Sequence, residues 1–297
     1  MYALTIGTFD GIHRGHKYIL KKTLQIAKEN NLKPLAIMLK YPIGKYLNGF
    51  DGLILPSWER KRLIEEMGFE VKIIEMKDVW HINHEDYLNH LIDIGTKYIV
   101  CGEDFKFGKG AMGDVSYLLT SGVKKGLIVE VLHDLKEMGN RVSSTLIRKN
   151  LKKGNIKESN KLLEKNWTVE GTVYEDRHVG FSLGFPTANI NIREKEDIIF
   201  PKYGVYLTKG YIDGYSRILW GLTSVGIRPT YFEEIKIPKT ETYFLDFFGD
   251  LYGKHIKLEF IDFLRTEEKF NDQIELIRKI SKDEDNARAL IESLTKN

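Results

Sequence analysis

Residues 1 to about 155 alternate short apolar runs with segments of helical period. The runs 3–6, 34–38, 71–74, 98–101 and 127–132 have the length and composition of buried strands. Amphipathic stretches begin near His16, Ser57, His84, Asp114 and Ser143. This β-α-β-α rhythm predicts an open parallel sheet covered by helices on both faces. Ligands in such sheets sit beyond the carboxyl ends of the strands.

Past Leu163 the pattern becomes alternating, with glycine-rich turns. Strands are expected over 168–174, 205–210, 218–225, 240–247 and 254–263. In the last of these Ile256, Leu258 and Phe260 face one way, and Lys257 and Glu259 the other. Several antiparallel strands at this spacing predict a small closed barrel. Phe270, Ile274 and Ile277, then Leu290, Ile291 and Leu294, return to helical spacing and predict a terminal helix. Residues 152–165 are expected to be helical and to join the halves. The expected organisation is therefore an α/β domain over 1–155, a linker over 156–166 and a barrel domain over 167–297.

Charge and cysteine content narrow the class. Across 297 residues, 45 basic side chains face 42 acidic ones, for a net charge of +3. That balance argues against a strongly electrostatic nucleic-acid or membrane partner, and no obligate protein partner is evident. No apolar run approaches the length of a membrane span, and residues 1–20 lack the zones of a signal peptide. The single cysteine, Cys101, closes an apolar run and reads as a small buried residue. One cysteine makes no disulfide framework, so a cytoplasmic location is expected.

Four strings carry chemistry. The first, Gly7-Thr8-Phe9-Asp10-Gly11-Ile12-His13-Arg14-Gly15-His16, follows the first strand and opens the first helix. Backbone N–H groups and the positive end of a helix favour phosphate there, and two imidazoles add donors. Glycine at 15 lets backbone approach a ligand closely. The second is Arg141-Val142-Ser143-Ser144-Thr145-Leu146-Ile147-Arg148, with Ser143 as an N-cap and Arg148 one turn after Ser144. It reads equally as an anion-binding helix start or as simple capping. The third runs from Gly102 through Asp104, Phe105 and Phe107 to Gly110, at a strand end on the ligand side. The fourth is Gly184-Phe185-Pro186-Thr187-Ala188-Asn189, where Thr187 and Asn189 share one strand face. A hydroxyl beside a carboxamide suits Mg²⁺, which prefers oxygen ligands, although the pair is common on strands. Taken alone, Glu241 reads more readily as a solvent-facing strand residue than as a general base.

Together these strings resemble the bifunctional riboflavin kinase/FAD synthetases of bacteria. Phe9-Asp10-Gly11-x-His13-x-Gly15-His16 is similar to the nucleotidylyltransferase signature of FMN adenylyltransferases. The Pro186-Thr187-Ala188-Asn189 string is similar to the riboflavin kinase signature. The resemblance implies a Rossmann-like nucleotidylyltransferase domain followed by a kinase barrel. It implies that riboflavin is phosphorylated by ATP to FMN, which a second ATP converts to FAD and pyrophosphate. On the adenylyl side it implies nucleotide binding by Gly7, Phe9, Asp10, Gly15, Ser143, Ser144, Thr145 and Arg148, with His13 and His16 catalytic. On the kinase side it implies nucleotide binding by Gly184, Thr187 and Asn189, Mg²⁺ on Thr187 and Asn189, and Glu241 as catalytic base. Asp104, Phe105 and Arg228 are the implied flavin contacts. The chain departs from the family's usual pattern at Lys40-Tyr41-Pro42-Ile43, Phe181-Ser182 and Ser224. Two other readings stay open at this stage: a single-activity adenylyltransferase whose barrel only binds flavin, and an inactive flavin-responsive regulator.

Overall fold

The computed structural model describes residues 1–297 except 48, 138, 176–183, 193–195, 228–237, 271 and 297. The chain forms two compact units, Met1–Leu146 and Ile147–Asn297.

The first unit is built on a five-stranded parallel sheet. Its strands are β1 (Tyr2–Gly7), β2 (Lys33–Leu39), β3 (Glu70–Ile74), β4 (Thr96–Gly102) and β7 (Ile128–Leu132). Their order across the sheet is β3-β2-β1-β4-β7, with β1 at the centre. The helices are α1 (Arg14–Glu29), α2 (Ser57–Glu66), the short α3 (Met76–Val79), α4 (His84–Asp93) and the short α5 (Val115–Tyr117). Two small hairpins, β5 (Lys106–Phe107) with β6 (Gly113–Asp114) and β8 (Lys136–Glu137) with β9 (Asn140–Arg141), follow the carboxyl ends of β4 and β7 in the chain.

Alternation along β2 explains the two layers of core. Ala36 and Met38 face Leu20 of α1 and Ile64 of α2. Leu35 and Ile37 face Leu88 and Leu91 of α4. The second layer holds Cys101, whose thiol burial pushes up to about 12. Such a thiol stays neutral and inert at ordinary pH.

The second unit begins with α6 (Ser144–Lys153), which crosses the boundary, and α7 (Ile156–Leu163). The helix expected over 152–165 is instead broken, because Gly154 adopts φ +80 between the two. Residues assigned to the linker pack on the barrel: the Asn160 carboxamide donates to Phe260 O and accepts from Trp167 N–H.

The barrel strands are β10 (Trp167–Tyr174), β11 (Thr187–Asn191), β12 (Gly204–Ile212), β13 (Leu219–Gly226), β14 (Lys239–Phe244) and β15 (His255–Thr266). They close in the order β10-β11-β14-β13-β12-β15. The twelve-residue β15 pairs with both β10 and β12, and two register shifts in its β12 pairing bend it around the closure. The expected strand over 240–247 ends early, since Asp246 turns left-handed at φ +54.

Trp167, Tyr206 and Phe260 fill the barrel, all three fully buried. Close packing needs glycine at 210, where an added Cβ would lie 2.3 Å from the Phe244 ring. The terminal helix α8 (Gln273–Thr295) lays Ala287, Leu290 and Ile291 over Val205, Leu207 and Leu222 on the outside. It is fastened by a buried ion pair, the Arg265 guanidinium donating to Asp283 at 2.8 and 3.0 Å. Phe270 precedes this helix, which starts only after Asp272 caps the Glu275 N–H.

Candidate active sites

In the first unit, the turn joining β1 to α1 is compact and conformationally unusual. Phe9, Gly11 and Ile12 all take positive φ, at +50, +87 and +43. The turn delivers His13 to the N-cap of α1, where its Nδ1 accepts from the His16 N–H at 3.4 Å. One helical turn later His16 returns to the same side, and the two imidazoles stack with centroids 3.7 Å apart. The Phe9 ring meets His16 edge-on at 5.5 Å. Gly7 and Gly15 leave room for these rings: added Cβ atoms would lie 3.2 Å from Phe9 and 3.1 Å from His13.

These residues border a cavity of about 330 Å³. Gly7, Phe9, His13, Gly15 and His16 line it from the turn, Asp104 and Phe105 from the end of β4, and Ser143, Ser144 and Thr145 from the start of α6. Ser143 caps α6, its Oγ accepting from the Leu146 N–H at 3.2 Å. Two helix N-termini and two imidazoles thus converge on one volume, an arrangement suited to a polyphosphate. Phe107, by contrast, is a core residue stacked beneath Phe105 at 5.6 Å.

Two implied nucleotide contacts do not line this cavity. Arg148 lies further along α6, four residues after Ser144. Asp10 is turned inward and 1% exposed; its carboxylate accepts from the backbone N–H groups of Ile54 and Leu55 at 3.0 and 3.1 Å. Its carbonyl accepts from Ser144 Oγ at 2.8 Å, tying the first string to the second. Arg141, which opens the second string but was given no role there, lines the cavity and pairs with Asp104 at 2.6 Å and Asp134 at 2.9 Å. Its place at the head of that string was the available signal. Burial pushes the Asp134 carboxyl up, against the pull of Arg141, whereas a hydrogen bond from His133 holds Glu103 down.

In the second unit, three strands align their polar residues on the outer face. Asn189 of β11 lies directly opposite Glu241 of β14, which lies directly opposite Ser224 of β13. Directly opposed side chains on antiparallel strands are within about 4.5–5.5 Å at Cβ. Asn189 is buried, and its Oδ1 has no hydrogen-bond partner among the described residues. Thr187 is half-buried two residues earlier on the same face, opposite Tyr243. Gly184 makes the turn before β11 at φ +85, and Phe185 then packs edge-on against Tyr243 at 5.3 Å. Asp246 receives both arms of Arg288, at 2.8 and 3.0 Å. Arg228, Phe181 and Ser182 lie outside the described residues. Among the described residues no three His, Cys, Asp or Glu side chains gather as a metal site, and no helix is long and apolar enough to cross a membrane.

Comparison with known proteins identifies both units. Residues 1–146 match the FAD synthetase family, and residues 163–291 match the riboflavin kinase family. The chain is 31% identical to the bifunctional riboflavin kinase/FMN adenylyltransferase of Bacillus subtilis (strain 168), over 99% of this chain and 93% of that protein. It is 31% identical to the enzyme of the same description from Escherichia coli (strain K12), over 96% and 91%. A crystal structure described as a macrolide-efflux protein from Streptococcus pneumoniae superposes with a TM-score of 0.83, covering 97% of this chain and 94% of that one. At 24% identity that likeness shows the fold alone. The chain belongs to the family of bifunctional riboflavin kinases/FMN adenylyltransferases, and is both a kinase and a nucleotidyltransferase of flavin cofactor synthesis.

Proposed function

We propose that the cavity between β1, β4 and α6 carries the FMN adenylyltransferase reaction, and that the outer face of β11, β14 and β13 carries the riboflavin kinase reaction. The observation supporting this division is the register that sets Asn189 against Glu241 in one unit, while His13 and His16 stack beside a cavity in the other.

In the kinase reaction, Glu241 accepts the proton of the riboflavin 5′-hydroxyl. The freed oxygen attacks the γ-phosphorus of ATP, and ADP departs. Glu241 is half-buried and next to Asn189, a position from which a carboxylate can reach a bound alcohol. The unpartnered Asn189 Oδ1 and the Thr187 hydroxyl on the same strand face are both oxygens, a set fitting a hard cation. Thr187 Oγ1 and Asn189 Oδ1 would hold Mg²⁺, which supplies charge neutralisation of the triphosphate. Gly184 lets the chain turn sharply into β11 beside them.

In the adenylyl reaction, an oxygen of the FMN phosphate attacks the α-phosphorus of a second ATP, and pyrophosphate departs. The nucleophile is already anionic, so no strong base is needed. His13 and His16 donate to the phosphate oxygens as charge develops, with the N-termini of α1 and α6 behind them. Ser143, Ser144 and Thr145 complete the anion-binding surface. Phe105 and Asp104 border the flavin side of the cavity, and Arg228 is assigned to flavin in the kinase unit. Asp10 serves the nucleotide indirectly, by holding the turn. The substrates are riboflavin, FMN and ATP, and the enzyme works in the cytoplasm without a nucleic-acid or membrane partner.

The test is chromatography of flavins formed by the purified full chain from riboflavin and Mg-ATP. Glu241→Gln should lower FMN formation by about 10²–10⁴-fold, while FMN added directly is still converted to FAD. His16→Ala should lower FAD formation about a hundredfold or more and leave FMN formation intact. Near-normal turnover by either variant removes that residue from its role.

A further inference from the structure

Two non-glycine residues of the β1–α1 turn, Phe9 and Ile12, are held at positive φ within four positions of each other. Such conformations persist only where the surroundings over-determine them. One clamp is the Asp10 carboxylate on Ile54 and Leu55. The other is Arg60 of α2, a fully buried arginine at 0% exposure. Its Nη1 donates to Thr8 O at 2.5 Å and to Leu39 O at 3.3 Å, and its Nη2 to Lys40 O at 2.6 Å. Thr8 opens the catalytic turn, while Leu39 ends β2 and Lys40 follows it. One planar fork therefore binds the turn to the neighbouring strand end.

We propose that Arg60 is a positioning residue for adenylyl transfer. It fixes the turn that aims His13 and His16 at the α-phosphate, and it does so through backbone, since complete burial keeps it off the substrate. The residue type suits the task. A guanidinium has donors on two arms in a rigid plane, whereas a lysine ammonium is a point donor that cannot span two segments in the same way. Placement errors near 1 Å are enough to matter, because rate depends steeply on alignment of the reacting groups.

The inference rests on the assignment of the cavity to adenylyl transfer, and its test separates the two. Full-length Arg60→Met and Arg60→Lys are assayed with FMN and Mg-ATP, with riboflavin phosphorylation measured on the same preparations. Arg60→Met should lower kcat for FAD formation about a hundredfold, with the KM for ATP little changed and the kinase reaction unaffected. Arg60→Lys should retain on the order of a tenth of the wild-type kcat. Wild-type kcat in a folded Arg60→Met overturns the inference. Should Arg60→Met lose the fold of the first unit by circular dichroism, wild-type kcat in Arg60→Lys overturns it instead. A loss confined to KM also overturns it, by making Arg60 a determinant of nucleotide affinity. His16→Ala is the control: if that variant still makes FAD, the cavity assignment itself has failed, whatever Arg60 does.

Discussion

Thr223→Val tests the polar chain inside the barrel that supports the kinase face. Thr208, Thr223 and Thr242 are each fully buried, and their hydroxyls are linked at 2.8 and 2.8 Å. Thr208 donates to Gly221 O at 3.2 Å. A hydroxyl has one proton, so Thr223 must donate to Thr208 and Thr242 to Thr223. Valine at 223 removes both inner bonds and leaves the Thr242 proton without an acceptor. A buried neutral bond contributes about 1 kcal/mol and a stranded donor costs about 1–3 kcal/mol, so a net loss near 2 kcal/mol is expected after the gain from an added methyl. Valine at 242, the end of the chain, removes one bond and strands no proton, for about 1 kcal/mol or less. In a unit of this size each kcal/mol moves the midpoint by about 2–4 °C. The assay is thermal inactivation of riboflavin phosphorylation in the full chain, with FMN adenylylation of the same sample as internal reference. Thr223→Val should lower the kinase midpoint by about 4–8 °C, and Thr242→Val by about half that or less. Equal losses, or a larger loss at 242, would refute the proton order.

Asn189→Leu should abolish kinase turnover without lowering stability, because the buried Oδ1 it removes has no partner to lose; a fall in the melting midpoint would contradict this. Cys101, with its thiol pushed up to about 12, should resist iodoacetamide at pH 8 in the native protein and react on denaturation; rapid native labelling would show the thiol to be accessible. A fragment spanning 147–297 should phosphorylate riboflavin but make no FAD, and should melt higher than one spanning 166–297, which lacks the Asn160 bonds to Trp167 and Phe260. Equal midpoints would make α7 dispensable to the barrel.

The sequence by itself determined the type and order of most elements in both units, although β11 lay outside the expected strands and the hairpins β5–β6 and β8–β9 were not expected. Period-2 and period-3.6 burial are local signals, so β1, β2, β3, β4 and β7, the alternation in β15 and the face of α8 could all be read along the chain. Breaks set by single backbone conformations were less legible: the left-handed Gly154 splits α6 from α7, and Asp246 cuts β14 short. Residue strings marked where phosphate chemistry would gather, since glycine, histidine and capping serines act within a few positions of one another. What only the tertiary structure decided is which distant groups meet. Asp10 reads as a ligand contact in its string, yet its carboxylate is consumed by backbone N–H groups 44 and 45 positions away. Arg60 lay outside every string and Arg141 only headed one, and their roles follow from the carbonyls and carboxylates that folding sets before them. Asn189 and Glu241 are 52 positions apart and become neighbours through barrel register alone. Periodicity tells each side chain whether it is buried, but strand pairing over long separations chooses its partner.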